Sequence, residues 1–295
     1  MQQMILAFGH YLKDSKGASA NTQTSYLRDV KLFSYYLEAN DRSDLTKVSH
    51  GDIREYLQWM KEEGRSRATV TRTTAGLKSF YSYLCMQGKI ERNPVHSVKT
   101  EKSESRPPQT LSGKEVAYLL EQPVCNGEMG IRDLAMLETL YATGIRVSEM
   151  TDLNRSDVLM DGKYIKCCKK DSDRIIPLHA KAEQALHNYM QTARPVMAQN
   201  DEEEALFLNC SGQRMTRQGF WKIIKRYQEK AQLDKKITPQ IIRHTFATHL
   251  LQNGADLQSL QVLMGHADIS STQKYADLLK QKVDDVYRRA HPRAK

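Results

Sequence analysis

The sequence has no uninterrupted run of about 18 apolar residues, the length that a membrane-spanning helix requires. Its first residues, MQQMILAFGHYLKD, include a short apolar stretch, but no basic region precedes it and no cleavage-like site follows it. We therefore expect an amphipathic helix at this end of the chain and not a signal peptide.

Cysteine is scarce and shows no disulfide or zinc-binding pattern. The five cysteines form no CxxC pair, and Cys167 and Cys168 are adjacent, which is too close in sequence for a routine disulfide. This usage is typical of reduced thiols packed as small apolar groups, so we expect a cytoplasmic protein.

Positive charge is in excess. The 295 residues include 44 Lys+Arg against 35 Asp+Glu, a formal net charge of +9 with a pI of about 9.2. The length favours two domains, and the charge suits a polyanion such as nucleic acid. A basic protein without such a partner is the alternative that composition leaves open.

Three segments in the N-terminal third repeat apolar residues at helical spacing. The first opens on Asn21 or Thr22 as its N-cap, the second starts near Ser49 and stops at Gly64, and the third stops at Gly88. Helices of this number and length predict a small helical bundle.

The third of these segments is basic at its start. Arg65, Arg67, Arg72 and Lys78 alternate there with several threonines, and cations mixed with short hydroxyl side chains suit contacts to DNA phosphates. A solvated helix face is the alternative interpretation of the same pattern.

A polar stretch without periodicity, KTEKSESRPPQT, separates the bundle from the rest of the chain. It contains the pair Pro107 and Pro108, which favours an extended linker. We therefore predict a helical domain over 1–98, a linker over 99–110 and a second domain over 111–295.

The second domain reads as mainly helical. Ser112 and Glu115 have the spacing of a capping box, and a long helix that follows ends at Gly144. Residues 163–168 and 174–178 are predicted strands around the turn KKDSD, and helices fill the remainder. The predicted fold class is mainly α with a small antiparallel β-sheet.

Two arginines stand at helix starts in this domain. Thr238 is a predicted N-cap, so Gln240 and Arg243 lie on one face of the first turns, where the helix dipole favours a phosphate. Arg146 also begins a helix. Its alternative role is an ion pair with Glu149, but two guanidinium groups are also suited to grip one phosphate together.

A histidine and a tyrosine follow near the end of the chain. His266 comes directly after Gly265, and Ser270 with Gln273 has a capping-box spacing that places Tyr275 in the second turn of a short helix. A phenol oxygen beside a phosphodiester held by two arginines is able to attack phosphorus and form a phosphotyrosine. Packing is the alternative role of the tyrosine, and capping that of the histidine.

The motifs TGIRVSEM, PQIIRHTFATHLLQNGADLQSLQVLMGHADISSTQKYA and HPRAK resemble the tyrosine recombinase (phage integrase) family, specifically its Xer-like members. The resemblance extends over nearly the whole chain, since NTQTSYLRDVKLFSYYLE and TVTRTTAGLKSFYSYLCMQGKIERNPV are similar to the family's N-terminal domain. It implies two domains clamped around duplex DNA and strand cleavage without metal, ATP or other cofactor.

The resemblance also implies a 3′-phosphotyrosine intermediate, a Holliday junction and four protomers acting on two DNA sites. By position, it makes Tyr275 the nucleophile and Arg146 and Arg243 the phosphate-binding arginines, and His266 matches a histidine that hydrogen-bonds the scissile phosphate. The amphipathic segment DLLKQKVDDVYRRA is the expected helix that docks on a neighbouring protomer.

Two positions depart from the family pattern. The hairpin lysine matches Lys169 best, with Lys170 beside it as the alternative, and the flanking glycines are missing. Gln240 replaces a histidine that handles the tyrosine's proton, and an amide cannot take up a proton near neutral pH. We expect an active enzyme, with the size of the loss in rate left open.

Other functions and contexts are compatible with these residues. A DNA-binding protein that has the fold without the catalysis is one alternative, and a type IB topoisomerase is another. The sequence leaves open the DNA target, the choice between chromosome-dimer resolution and movement of a mobile element, and the need for a second recombinase in a mixed tetramer.

Overall fold

The computed structural model describes residues 1–98, 109–159, 163–167, 173–200 and 202–265. The chain divides into two compact units, Met1–Ser105 and Arg106–Lys295. Most of the predicted linker lies outside the described residues, so its bounds stay a prediction.

The first unit is a helical bundle. Its elements are α1 (Gln2–His10), which continues as a π-helical turn over Tyr11–Ser15, then α2 (Ala20–Ala39), α3 (His50–Glu62) and α4 (Arg67–Met86). The core between them is apolar and largely aromatic, and its fully buried side chains include Phe8, Phe33, Leu37, Tyr56, Leu77, Phe80 and Tyr81.

Hydroxyl N-caps start the three longer helices of this unit. The predicted helix start near Ser49 is confirmed: Ser49 is the N-cap of α3, and Asp52 completes a capping box with it. The predicted cap of α2 at Asn21 or Thr22 is wrong. Ser19 caps this helix instead, because its hydroxyl accepts a hydrogen bond from the backbone N–H of Thr22.

The second unit packs helices around one long central helix. Its helices within the described residues are α5 (Gly113–Leu120), α6 (Glu128–Thr143), α7 (Val147–Asp152), α8 (Ala180–Asn188), α9 (Arg194–Met197), α10 (Arg217–Lys230), α11 (Pro239–Gln252) and α12 (Leu257–Met264). Short 3₁₀ and π segments occupy Arg155–Asp157 and Tyr189–Ala193. The predicted capping box of Ser112 with Glu115 is confirmed at the start of α5.

The sheet is small and antiparallel, in the order β1-β2-β3. Strand β2 (Tyr164–Cys167) and strand β3 (Arg174–Pro177) match the two predicted strands. Strand β1 (Val158–Leu159) was not predicted, because two residues are too few to show a period. The structure is mainly helical with a small antiparallel sheet, which confirms the predicted fold class.

Gly144 ends α6 and sets the direction of the chain after this helix. It adopts a left-handed conformation with φ of 57°, as expected of a glycine that ends a helix. A Cβ atom at this position would collide with the ring of Phe246 on α11. The end of α6 and the middle of α11 are therefore in close contact, and Arg146 follows directly.

Candidate active site

The start of α11 is formed by local sequence signals. The Thr238 hydroxyl accepts a hydrogen bond from the backbone N–H of Ile241 at 3.2 Å, and Pro239 occupies the first helical position. The cap at Thr238 is as predicted. The cap and the proline place Gln240 on the exposed surface of the first turn and Arg243 in the interior, where the residue is 3% exposed.

Arg243 is held by main-chain carbonyls. Its Nη1 donates to the carbonyl of Gly144, and its Nη2 donates to the carbonyl of Met264 at 2.6 Å. A buried guanidinium needs such partners, since leaving its N–H groups unpaired is costly. The side chain therefore joins the end of α6, the start of α11 and the end of α12.

Arg146 contacts the carbonyl that follows Met264 in the chain and is more open to solvent. Its Nη2 donates to the carbonyl of Gly265 at 3.3 Å, and its side chain is 37% exposed. Its Nη1 lies 3.0 Å from Oε1 of Glu149, the ion pair that the sequence offered as an alternative role. The Arg146 side chain is thus paired with Glu149 and partly exposed at the same time, so it remains accessible to a ligand.

The two arginines meet although they are far apart in the sequence. Met264 and Gly265 are consecutive, and each offers its carbonyl to one of the two guanidinium groups. Next in the chain comes residue 266, the predicted catalytic histidine.

A third arginine belongs to this cluster and was not predicted. Arg174 donates from Nε to the carbonyl of Leu263 at 3.0 Å and forms an ion pair with Glu149, in which its Nη2 lies 2.6 Å from Oε2. Its side chain is 6% exposed. The sequence does contain one signal for this position. Arg174 lies two residues before Ile176 and therefore on the same face of β3, which is the buried one.

Gln240 has one partner on its own helix. Its amide nitrogen lies 3.3 Å from Nε2 of His244, one turn further along, and His244 is 9% exposed. If the amide donates this hydrogen bond, Nε2 of the imidazole must accept it and the ring proton sits on Nδ1.

Four predicted site residues lie outside the described residues: Lys169, its alternative Lys170, His266 and Tyr275. Their roles stay predictions. In sequence, β2 ends at Cys167, two residues before Lys169, and α12 ends at Met264, two residues before His266.

The predicted DNA-binding residues lie on α4 or just before it, and they differ in their surroundings. Arg65, Arg67 and Lys78 are exposed. Arg72 is half-buried and donates from Nη1 to Asp29 at 2.7 Å. Burial raises the pKa of the Asp29 carboxyl, and the charge of Arg72 offsets part of this rise. Arg72 thus has a structural ion pair in addition to any contact with DNA.

The described residues show neither a metal-binding cluster nor a membrane-spanning helix. They contain no group of three or more His, Cys, Asp or Glu side chains arranged to hold a metal ion. Within the same part of the chain, no helix combines the length and apolar character needed to span a membrane.

Comparison with known proteins identifies the family. Residues 109–282 match the phage integrase family, and residues 5–88 match its N-terminal SAM-like domain. The chain is 41% identical to the tyrosine recombinase XerD of Oceanobacillus iheyensis, with 100% of both chains covered. It is also 41% identical to the tyrosine recombinase XerC of Pelotomaculum thermopropionicum, with 97% of this chain and 96% of the relative covered.

A solved structure agrees in fold. The XerH site-specific recombinase, bound to its difH substrate after cleavage, aligns with a TM-score of 0.76 at 22% identity, over 94% of this chain and 82% of that chain. The chain therefore belongs to the phage integrase family, as a tyrosine recombinase.

Proposed function

We propose that this enzyme is a site-specific recombinase that cuts and rejoins duplex DNA through a phosphotyrosine formed on Tyr275. One observation carries the residue assignment: Arg146 and Arg243 meet at the consecutive carbonyls of Met264 and Gly265, directly before His266. Family membership supports the reaction class.

The proposed chemistry is a pair of phosphoryl transfers. The phenol of Tyr275 gives its proton to water or to another group, and its oxygen attacks the phosphorus. The bond between the phosphorus and the DNA 5′ oxygen breaks, and a 3′-phosphotyrosine forms. The leaving oxygen takes a proton from Lys169. The 5′-hydroxyl of the partner strand then attacks the phosphotyrosine and restores a phosphodiester, so the number of ester bonds is unchanged and no energy source is needed.

The arginines are proposed to act on the charge of the phosphate. Negative charge grows on the nonbridging oxygens as the tyrosine attacks, and fixed guanidinium donors stabilise it without having to reorganise. Arg243 is positioned for this by two carbonyls. Arg146 is accessible and is held on one side by Glu149.

The partner is proposed to be duplex DNA. The net charge of +9 favours a polyanion. Arg67 and Lys78 are both exposed and lie eleven residues apart on α4, which places them on the same face of the helix, and Arg65 is exposed just before it.

We infer that four protomers act on two DNA sites in the cytoplasm. Relatives named XerC and XerD match at the same identity, so a mixed tetramer with a second recombinase is an alternative to four identical protomers.

The central test is a trapping experiment. The protein is incubated with randomised duplexes that each carry a nick in one strand, so that a short fragment diffuses away after cleavage and the covalent adduct accumulates. We expect adducts with wild-type protein and none with Tyr275→Phe, because the variant lacks the nucleophilic oxygen. Sequencing the trapped DNA identifies a duplex for later measurements.

Other outcomes of this experiment would select the rival functions. DNA binding without any adduct in the wild type would indicate an architectural protein. Relaxation of a supercoiled plasmid by the monomer, without strand exchange, would indicate a topoisomerase.

The residue Gln240 yields a separate prediction. We expect Gln240→His to speed single-turnover cleavage at neutral pH by up to about 10²-fold, because an imidazole can accept the tyrosine's proton and an amide cannot. The measurement is the rate of adduct formation from pH 6 to 9 on the trapped duplex. Gln240→Asn is the matched control. Equal rates for wild type and Gln240→His would mean that the proton has another route.

A further inference from the structure

Arg174 links the sheet to the phosphate-binding arginines. It opens β3, where it pairs with Cys167 of β2 in the antiparallel ladder. Its guanidinium leaves the sheet and contacts Glu149 on α7 and the carbonyl of Leu263 on α12. A buried arginine with partners on two other elements is in a position to fix their geometry.

Glu149 is shared between two arginines. Its Oε1 accepts from Nη1 of Arg146 at 3.0 Å and from Nη1 of Arg174 at 3.2 Å. Its Oε2 accepts from the backbone N–H of Arg146 at 2.8 Å and from Nη2 of Arg174 at 2.6 Å. The carboxylate is therefore divided between the two guanidinium groups and does not neutralise Arg146 alone.

The charges show what this division achieves. Two guanidinium groups, those of Arg146 and Arg174, contact the carboxylate of Glu149, and the guanidinium of Arg243 binds the neighbouring carbonyl of Met264. These four described side chains together carry a formal net charge of +2. Without Arg174 the net charge would fall to +1. Glu149 would then no longer share its two oxygens with Arg174 and would compete more strongly with a phosphate for Arg146.

Arg174 also supports the end of α12. Three consecutive carbonyls of this end, at Leu263, Met264 and Gly265, accept hydrogen bonds from Arg174, Arg243 and Arg146 in that order. Gly265 has φ of 59°, and a Cβ atom there would lie 2.5 Å from Nη1 of Arg174. The backbone of this glycine thus packs directly on the guanidinium.

We propose that Arg174 is a positioning residue for strand cleavage: by holding Glu149 and the last turn of α12, it keeps Arg146 directed toward the scissile phosphate. The proposal rests on the proposed function, because it assumes that Arg146 binds this phosphate. Arg174 itself acts through Arg146 and touches no reacting atom.

The first test is a double-mutant cycle on the trapped duplex. We expect Arg174→Gln to slow single-turnover cleavage by about tenfold or more while the dissociation constant for the duplex stays within about threefold. Adding Glu149→Gln removes the competing charge, so the double variant should cleave faster than Arg174→Gln alone. A double variant as slow as or slower than the single one would overturn the proposal.

A second test distinguishes positioning from loss of stability. In a duplex with a methylphosphonate at the scissile position, one nonbridging oxygen is replaced by a methyl group and the negative charge that Arg146 balances is removed. The ratio of wild-type to Arg174→Gln rates should therefore fall on this duplex. A residue that only stabilises the fold would give the same ratio on both duplexes.

Arg214 provides the matched control. It donates to the carbonyls of Thr151 and Leu153 at 3.0 Å each, close to the end of α7, and it makes no contact with Glu149 in the described structure. Arg214→Gln should lower the melting temperature without slowing cleavage in the cold, and its properties should not improve when Glu149→Gln is added.

The proposed function and the positioning role of Arg174 are tested by different outcomes. If the wild type forms no adduct with any duplex, the proposed function is wrong. If the wild type forms an adduct and Arg174→Gln forms it at the same rate, only the positioning role is wrong.

Discussion

Replacement of Arg243 by alanine will reduce single-turnover cleavage by about 10³-fold or more, since a fixed donor to the transition-state charge is lost. Affinity for the duplex should change little, because binding rests on many phosphate contacts of which this is one. The measurement pairs the rate of adduct formation at saturating protein with a dissociation constant determined on Tyr275→Phe and on Arg243→Ala/Tyr275→Phe.

The buried position of Arg243 calls for a second variant. Alanine leaves the carbonyls of Gly144 and Met264 without their donor, so some loss of stability is expected with it. Arg243→Lys keeps a charge and one donor but not the planar fork, and the activity of this variant should remain well below that of the wild type.

Arg146→Ala should also slow cleavage while leaving the affinity for the duplex nearly unchanged. Parallel losses of binding and cleavage in both arginine variants would argue against the catalytic assignment.

The second large effect concerns folding. Asp133 is fully buried, and its Oδ1 accepts from Nε and Nη2 of Arg132 at 2.9 Å and 2.7 Å. Its Oδ2 accepts from the hydroxyl of Tyr227 at 2.9 Å and also contacts Arg226. Burial and this neighbouring carboxylate raise the pKa of Tyr227 to about 12, so the phenol remains a donor.

Asp133→Ala is therefore expected to destabilise the second unit by about 3–5 kcal/mol, because it leaves the buried charge of Arg132 uncompensated. The chain has two tryptophans, Trp59 on α3 and Trp221 on α10. In a Trp59→Phe background, urea unfolding followed by fluorescence reports on the unit that contains Asp133.

The control for this experiment comes from the same network. The side chain of Arg226 is 55% exposed, so Arg226→Gln should cost less than about 1 kcal/mol. Similar losses for Asp133→Ala and Arg226→Gln would show that the buried pair with Arg132 is not the source of the stability.

Helix starts could be predicted from the sequence where one capping residue was available. Ser49, Ser112 and Thr238 each precede an apolar period, and each accepts the expected backbone hydrogen bond. The α2 start was misplaced because several capping residues are neighbours there. Ser19 has the extended backbone, with ψ of 151°, that a cap requires.

The candidate site was predictable in part. Arg146 and Arg243 were chosen from their helix starts and from the family resemblance, and they meet at adjacent carbonyls. Arg174 and Asp133 were missed, since a buried charge is decided by partners that are distant in the sequence. Glu149 was predicted only as a partner of Arg146, and its second arginine comes from a different element.

The end of α12 has a consequence for engineering the chain. Each residue of a helix turns by about 100°, so deleting or inserting one residue in Leu257–Met264 would present the three arginines with the wrong acceptors. Substitutions on the outer face of α12 should be tolerated, since Val262 on this face is 64% exposed. Tolerated variation in this helix should therefore be in composition, while its length remains fixed.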